Sequence, residues 1–462
     1  MRSRLLQRLP WDRFNNTLTI IKKETEPGLS SMEAMDSVIL YRNVQWHESG
    51  QYWDLFYQYF RWSGDLSWKS FADSQLALSA GGNGDYMGGL SPYVEETTRW
   101  NDDMCWWGLT SMTAAENGDS FHLQLATRTF EEVWMSWDAS TCGGGIFWSR
   151  SRSGGYHPTL KSTITNAQMV DLGARLFRLT GNADYKNKVD QIWNWLRTVG
   201  LVSADYTVYD GVESNECVPN QQVYSYHTGE LLTGMSNMYI ATKDTKYLTE
   251  AHNIFASIKR QFVVNDVLSF EPSCAAGANC KSPTGYYWAI YKGLFHLSLA
   301  TPDAVVQNSV ASVIRTSATA NFRGCNSNWN CMRNLGVGTG FTLRDGTNVR
   351  DQFETVAILN ALAVINGVVP RNGSTATTFS TVSSMSTVSS TISATALPTN
   401  ASNNPSNTES SSSSNVNVGI VVGSVFGGAA VFILAAGSVL LYRRRQLQNK
   451  QALPSSFFTP SQ

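Results

Sequence analysis

Apolar residues recur at intervals of three and four along much of the chain, and the runs they form come in pairs. In residues 185–196, for example, Tyr185, Val189, Ile192, Trp193 and Leu196 fall on one helical face. Five times an aromatic-rich run stops at a short polar break and a second helical run begins. The breaks are Trp62-Ser-Gly64-Asp65, Glu116-Asn-Gly118-Asp119, Leu179-Thr-Gly181-Asn182, Ala241-Thr-Lys243-Asp244 and Ala300-Thr-Pro302-Asp303. Their third residues are spaced 54, 63, 62 and 59 apart, and a sixth run, 351–365, ends in Asn366-Gly367 at a similar interval. Each break has the chemistry of a helix stop followed by a helix start: Gly suits the left-handed position after a helix, and an Asp or Asn side-chain oxygen caps the next one.

The pattern predicts six helical hairpins over most of residues 30 to 370. Their first members, Tyr52–Trp62, Met104–Ala115, Gln168–Leu179, Thr228–Ala241, Tyr287–Ala300 and Phe353–Ile365, are apolar on most faces, which marks inner helices. An open solenoid and a closed ring both fit the count. The closed ring gives inner helices contacts all round, so the expected fold is an all-α (α/α)6 toroid spanning 41–370. Residues 17–40 show only short candidate runs for the first outer helix, and 1–40 form a poorly matched N-terminal segment. The first ten residues are basic without an apolar run of seven or more before Trp11, a poor signal peptide; the expectation is an incomplete or mispredicted start.

The last part of the chain is of another kind. Residues 371–415 are Ser, Thr, Asn and Ala with almost no aromatic or charged residues, a composition that buries too little to fold; a disordered, glycosylated stalk is expected. N-glycosylation sequons begin at Asn15, Asn372 and Asn400. The 23 uncharged residues from Gly419 to Leu441 are long enough to cross a bilayer, which sets a transmembrane helix at 418–442. Arg443-Arg444-Arg445 then fixes 443–462 as a cytoplasmic tail and the large N-terminal part as extracellular.

Composition narrows the function. Thirty-five Lys and Arg against 36 Asp and Glu give a net charge of −1, which argues against nucleic acid as a partner. A low charged fraction, 15%, with 15 Trp, 18 Tyr and 20 Phe fits a large core plus aromatic surface for a flat, weakly charged ligand such as a sugar. Seven cysteines fit an oxidising compartment, with Cys274/Cys280, Cys325/Cys331 and Cys142/Cys217 as suggested pairs and one cysteine left over. No CxxC pair or His cluster accompanies them, so no metal and no cofactor are expected.

Loops leading into the inner helices collect the unusual residues: Trp46-His-Glu48-Ser-Gly50, Arg99-Trp-Asn-Asp102-Asp103, Cys142-Gly-Gly-Gly-Ile-Phe-Trp148 and Tyr209-Asp210-Gly-Val-Glu213. Adjacent acids before an apolar helix are ordinarily a cap and a first-turn residue. They also fit glycoside hydrolysis with retention, which needs two nearby carboxyl groups, one kept protonated by burial and one ionised.

The segment Asn101-Asp102-Asp103-Met104-Cys105-Trp106-Trp107-Gly108-Leu109 resembles the double-aspartate signature of glycoside hydrolase family 76, the endo-α-1,6-mannanases. Segments 46–65, 142–148, 161–182, 208–211, 224–229 and 291–295 are similar to the same family in the same order, so the likeness covers about 41–366. The resemblance implies a retaining enzyme on an (α/α)6 toroid, with Asp102 as nucleophile and Asp103 as general acid/base. The chain departs from the family at Cys105, where a small residue is usual. Around the pair, Trp46, Glu48, Trp107, Trp148, Asn166, Asp210 and Tyr226 are candidates for sugar contact. For Asn166 the alternative is a helix cap, for the aromatics the core, for Asp210 an ordinary turn, and for Glu48 a solvated position. His47 and His227 are expected to be structural. The expected activity is a membrane-anchored extracellular endo-α-1,6-mannosidase, hydrolysing or transglycosylating α-mannan or a mannose-containing glycan and acting as a monomer. The alternative is a catalytically silent mannan-binding surface sensor or adhesin.

Overall fold

The computed structural model describes residues 46–87, 100–152, 157–268, 287–326, 331 and 349–368. The chain divides into two units, 1–380 and 381–462, and every described residue belongs to the first. The expected stalk, transmembrane helix and tail, the segment 1–40 and the Cys274/Cys280 pair lie outside the described residues. Among the described residues no helix is long and apolar enough to cross a membrane.

The described chain is mostly helical. The helices are α1 (Trp46–Ser63), α2 (Lys69–Ala80), α3 (Asn101–Ala115), α4 (Ser120–Trp134), α5 (Thr163–Thr180), α6 (Ala183–Thr198), α7 (Ser225–Thr242), α8 (Thr245–Phe262), α9 (Tyr287–Ala300), α10 (Ala304–Phe322) and α11 (Val349–Ile365). Odd-numbered helices pack successively, α1 on α3, α3 on α5, α5 on α7, α7 on α9 and α9 on α11, and α11 returns to α1. They close a ring. Each even-numbered helix packs on the odd-numbered one before it, so five outer helices are seen among the described residues. The candidate first outer helix, residues 17–40, lies outside them. Ring closure is direct: Tyr52 of α1 stacks on Phe353 of α11 at 3.6 Å, and the Asn360 amide donates to the Leu55 carbonyl at 3.0 Å.

Side chains at the breaks account for where helices start. Asp119, Asn182, Asp244 and Asp303 accept backbone N–H bonds from the first turns of α4, α6, α8 and α10. Left-handed Gly181 and Lys243 end α5 and α7. The first break differs. Asp65 bonds the backbone and hydroxyl of Ser67 instead, so a turn intervenes and α2 begins only at Lys69. Inside the ring α7 and α9 touch backbone to backbone. A Cβ on Gly229 would lie 2.4 Å from the Ala289 carbonyl carbon, and one on Gly293 would lie 2.8 Å from the Gly229 oxygen, so only glycine fits.

Two small antiparallel pairs complete the described structure. Strand β1 (Leu160–Ser162) pairs with β2 (Gly211–Glu213) in the register Leu160 to Glu213, and β3 (Val263–Val264) turns directly into β4 (Val267–Leu268). Cys142–Cys217 and Cys325–Cys331 are disulfide-bonded, and Cys105 is a buried free thiol.

Candidate active site

The N-terminal ends of α3, α5 and α7, with β1, β2 and the loops beside them, surround a cleft of about 400 Å³. Asp102, Asp210 and Glu213 supply carboxylates, and Trp148, Tyr224 and Tyr226 supply aromatic surface. Neither α3 nor α7 has a side-chain cap at this end, because Trp100 and Tyr224 occupy the cap positions. At the start of α3 the backbone N–H groups of Asp102 and Asp103 serve the Asp102 carboxylate, whose negative charge a helix start favours.

The cleft wall is built from the loop 138–150, which three buried side chains hold. Asn101 donates to the Phe147 carbonyl at 2.8 Å and accepts from Arg150 at 2.7 Å. Asn166 accepts from the Ile146 N–H and donates to the carbonyls of Ile146 and Ser162. Lys161 extends its ammonium to the carbonyls of Asp138, Thr141 and Gly144 and to the Asp138 carboxylate at 3.0 Å. The Cys142–Cys217 disulfide ties the same loop to the segment after β2. These restraints set Trp148 against Trp100, centroids 5.5 Å apart, with its indole N–H donating to Asp102.

Asp102 is the second residue of α3. Burial pushes its pKa up to about 6, and nearby Asp210 adds to the rise. Hydrogen bonds from the Trp148 indole and from the backbone N–H groups of Asp102 and Asp103 work against it. Its Oδ1 is buried with no hydrogen-bond partner. Asp103 follows, its side chain 14% exposed, with Oδ1 3.3 Å from Nδ1 of His47 and Oδ2 3.5 Å from the Trp100 N–H. Across the cleft Asp210 is raised by burial, which outweighs the Asn220 amide and the His157 charge. Glu213 accepts from Thr159 at 2.6 Å. His227, 3.6 Å from Asp210, is pushed down to about 3 by burial and is neutral, so that contact is no ion pair.

Of the residues expected to meet a sugar, Trp148, Asp210 and Tyr226 line the cleft with Asp102. Four others, Asn166, Trp107, Glu48 and Trp46, do not. Asn166 is fully buried and its amide is spent on backbone groups; it is neither a cap, which Ser162 supplies, nor a cleft residue. Trp107 is also fully buried, stacked on Tyr86, with its indole donating to the Trp46 carbonyl. Glu48 is buried within α1 rather than solvated. The segment expected as a loop, 46–50, is the first turn of that helix. Trp46 is half-buried, rests against Trp107 at 5.4 Å and belongs to the α1–α3 contact. His47, expected to be structural, lies 3.3 Å from Asp103; its position directly before α1's first buried run carried no signal of this contact. Tyr224 and His157 also line the cleft without having been singled out.

Asp73 on α2, Asp119 at the cap before α4 and His122 on α4 form a potential ligand cluster, apart from the cleft lining. The Lys69 ammonium, 2.7 Å from Asp73 and 3.6 Å from Asp119, already supplies a cation there.

Relatives share this framework. A Schizosaccharomyces pombe protein is 34% identical over 265 residues, which are 54% of this chain and 58% of its own length. The mannan endo-1,6-alpha-mannosidase DFG5 of Saccharomyces cerevisiae is 29% identical over 61% of this chain and 62% of its own. The chain thus spans less than two thirds of these relatives. Dfg5 from Chaetomium thermophilum, solved in complex with glucosamine, superposes with a TM-score of 0.67 at 23% identity, covering 80% of this chain and 92% of that one. An inactive α-1,6-mannanase variant from a Salegentibacter species, with two consecutive aspartates replaced by alanine and α-1,6-mannotetrose bound, superposes at 0.57 with 16% identity over 70% and 90%. At those identities the likeness is one of fold. With the model of glycosyl hydrolase family 76 matching residues 15–374, the chain belongs to that family.

Proposed function

We propose that the protein is a retaining endo-α-1,6-mannosidase, cleaving α-1,6-linked mannan or the mannose core of an attached glycan. The observation that carries this is Asp102: a buried carboxylate with a pKa of about 6, at a helix start, opening on an aromatic cleft in a family 76 chain. Names of relatives such as mannan endo-1,6-alpha-mannosidase support the linkage.

In the first step Asp102, ionised above pH 6, attacks the anomeric carbon while Asp103 gives its proton to the departing glycosidic oxygen, leaving a glycosyl-aspartate ester. In the second Asp103 takes a proton from water, which displaces Asp102 and restores both carboxyl groups. A sugar hydroxyl in place of water makes the same step a transglycosylation. Asp103 is not among the residues lining the cleft and faces His47, so the proposed step requires its carboxyl to turn toward the leaving oxygen once substrate is bound. Trp148 and Tyr226 give the sugar stacking faces, and Asp210 accepts from its hydroxyls.

The same proposal places the catalytic unit outside the cell on a serine-rich stalk, anchored by a helix at 418–442, for which composition and the Arg443–Arg445 triplet are the support. Ring closure within one chain supports a monomer. The test is product release from α-1,6-mannan oligosaccharides by the wild type, Asp102→Asn and Asp103→Asn. Each variant is expected to lose at least about a hundredfold, within the range of a positioned acid/base. Equal product from all three, or none from the wild type, sinks the proposal and leaves a mannan-binding protein.

A further inference from the structure

A second cavity, about 430 Å³, opens at the opposite end of the ring, where residues near the C-terminal ends of all six inner helices line it. Its charge is one-sided. Among the described residues, Arg61, Arg175, Arg178, Lys243 and Lys292 line it against a single carboxylate, Glu116. Basic residues commonly sit at helix C-termini to offset the dipole. Here, however, three guanidinium groups converge on one acid. Arg61 and Arg175 reach Glu116 at 3.0 and 2.9 Å, and Arg178 joins them. Glu116 is held far below the usual carboxylate range: burial would raise it, but Arg175, Arg178 and Arg61 together overcome that. On the cavity surface Glu116 alone faces the three guanidinium groups, while Asp171 and Asp54 act on Arg175 from behind the lining.

Deeper in, Lys292 is answered by Asp171 and Glu230 at 2.9 and 2.8 Å. Arg175 spends Nε and Nη2 on Glu116 and Thr113, but its Nη1 has only a 3.7 Å contact with Asp171 and, on a side chain 1% exposed, no hydrogen-bond partner. A buried guanidinium nitrogen without a partner costs stability unless something accepts its proton. At the rim Lys243 is exposed in a left-handed cap, with the Tyr239 ring beneath it and no ion pair among the described residues.

We propose that this cavity binds a small tetrahedral oxyanion, a phosphoryl or sulfuryl group, which Arg175, Arg178 and Lys243 hold and Glu116 orients through the arginines. Guanidinium forks match such oxygens, and a −2 charge offsets the surplus. The apolar faces of Trp62 and Phe295 in the same cavity leave room for the body of an ester.

The test is isothermal titration of the purified full chain with inorganic phosphate and with mannose 6-phosphate at fixed ionic strength, with chloride as control. Saturable binding is expected, weakened at least tenfold in Lys243→Asn, which keeps a residue tolerant of the left-handed conformation, and in Arg178→Gln. Asp210→Asn, at the other end of the ring, is expected to leave affinity unchanged and so separates this cavity from the cleft. Tighter binding of the sugar ester assigns the site to an ester, and equal or tighter binding of phosphate assigns it to the free ion. Absence of binding, equal heats with chloride, or unchanged affinity in a folded Lys243→Asn protein overturns the proposal. Because none of these readouts involves mannan cleavage, the outcome is independent of the proposed activity.

Discussion

The hydrogen bond from Trp148 to Asp102 turns the proposed mechanism into a measurable pH dependence. Attack requires Asp102 ionised, so activity is lost as pH falls through its pKa, about 6 in the free protein. The indole N–H holds that value down against burial. Hydrogen bonds to charged groups contribute about 1.5–3 kcal/mol. At 1.36 kcal/mol per unit, removing this one raises the pKa by about 1–2 units. In Trp148→Phe the acid limb of kcat/KM, which reports the free enzyme, is therefore expected to move from near 6 to about 7–8. At pH 6 the ionised fraction falls from about a half to between about 1% and 9%, so the rate there drops about five- to fiftyfold from this cause alone. Lost stacking on the sugar scales the whole profile without moving its limb, and the two effects separate in one experiment. The assay is initial rate on an α-1,6-mannan oligosaccharide between pH 4 and 9. An acid limb that stays where it is in the wild type, or moves to lower pH, refutes the account of Asp102.

Two further substitutions probe the same cleft. Because the folded pKa of Asp102 lies above its unfolded value, its ionised form is disfavoured in the fold, and stability is lost as pH rises from about 4 through 6. Asp102→Asn should therefore stabilise the protein by up to about 3 kcal/mol at pH 7, a gain that vanishes at pH 4; denaturation at both pH values checks it, and a pH-independent difference contradicts it. Lys161→Met removes the ammonium that gathers three loop carbonyls and Asp138, and should cost about 3–5 kcal/mol, measured by urea unfolding. It should lower activity as well, since Trp148 loses its support; a variant as stable as wild type counts against the loop's dependence on Lys161.

Inner helices were legible in the sequence because each is apolar nearly all round and ends in a Gly, Lys or Pro break at a steady interval. The Asp and Asn caps of α4, α6, α8 and α10 follow from the same breaks. Asp65 misled because a following Ser67 offered its side chain a nearer partner. In the cleft, Asp102, Trp148 and Asp210 were legible as unusual residues in segments that a ring gathers at one end, and Tyr226 through the family-like segment 224–229. Asn166 and Trp107 lie in the same motifs but serve the wall behind. Residue type cannot distinguish an amide that meets a sugar from one that meets the Ile146 backbone. His47 was missed because its partner, Asp103, lies on another helix, 56 residues on, and is brought near by the α1–α3 contact.

Ring closure has a consequence for biosynthesis. The contact between Asn360 and Leu55 joins residues 305 apart, and Tyr52 has its stacking partner only when Phe353 arrives. A ribosome must therefore release nearly the whole helical ring before α1 is covered on both sides. Until then the growing chain is an arc with an apolar face open at each end, the kind of transient surface that aggregates. Its most distant contacts form last and slow its folding. Hairpins can form as they emerge, but the arc cannot close until the sixth inner helix is free.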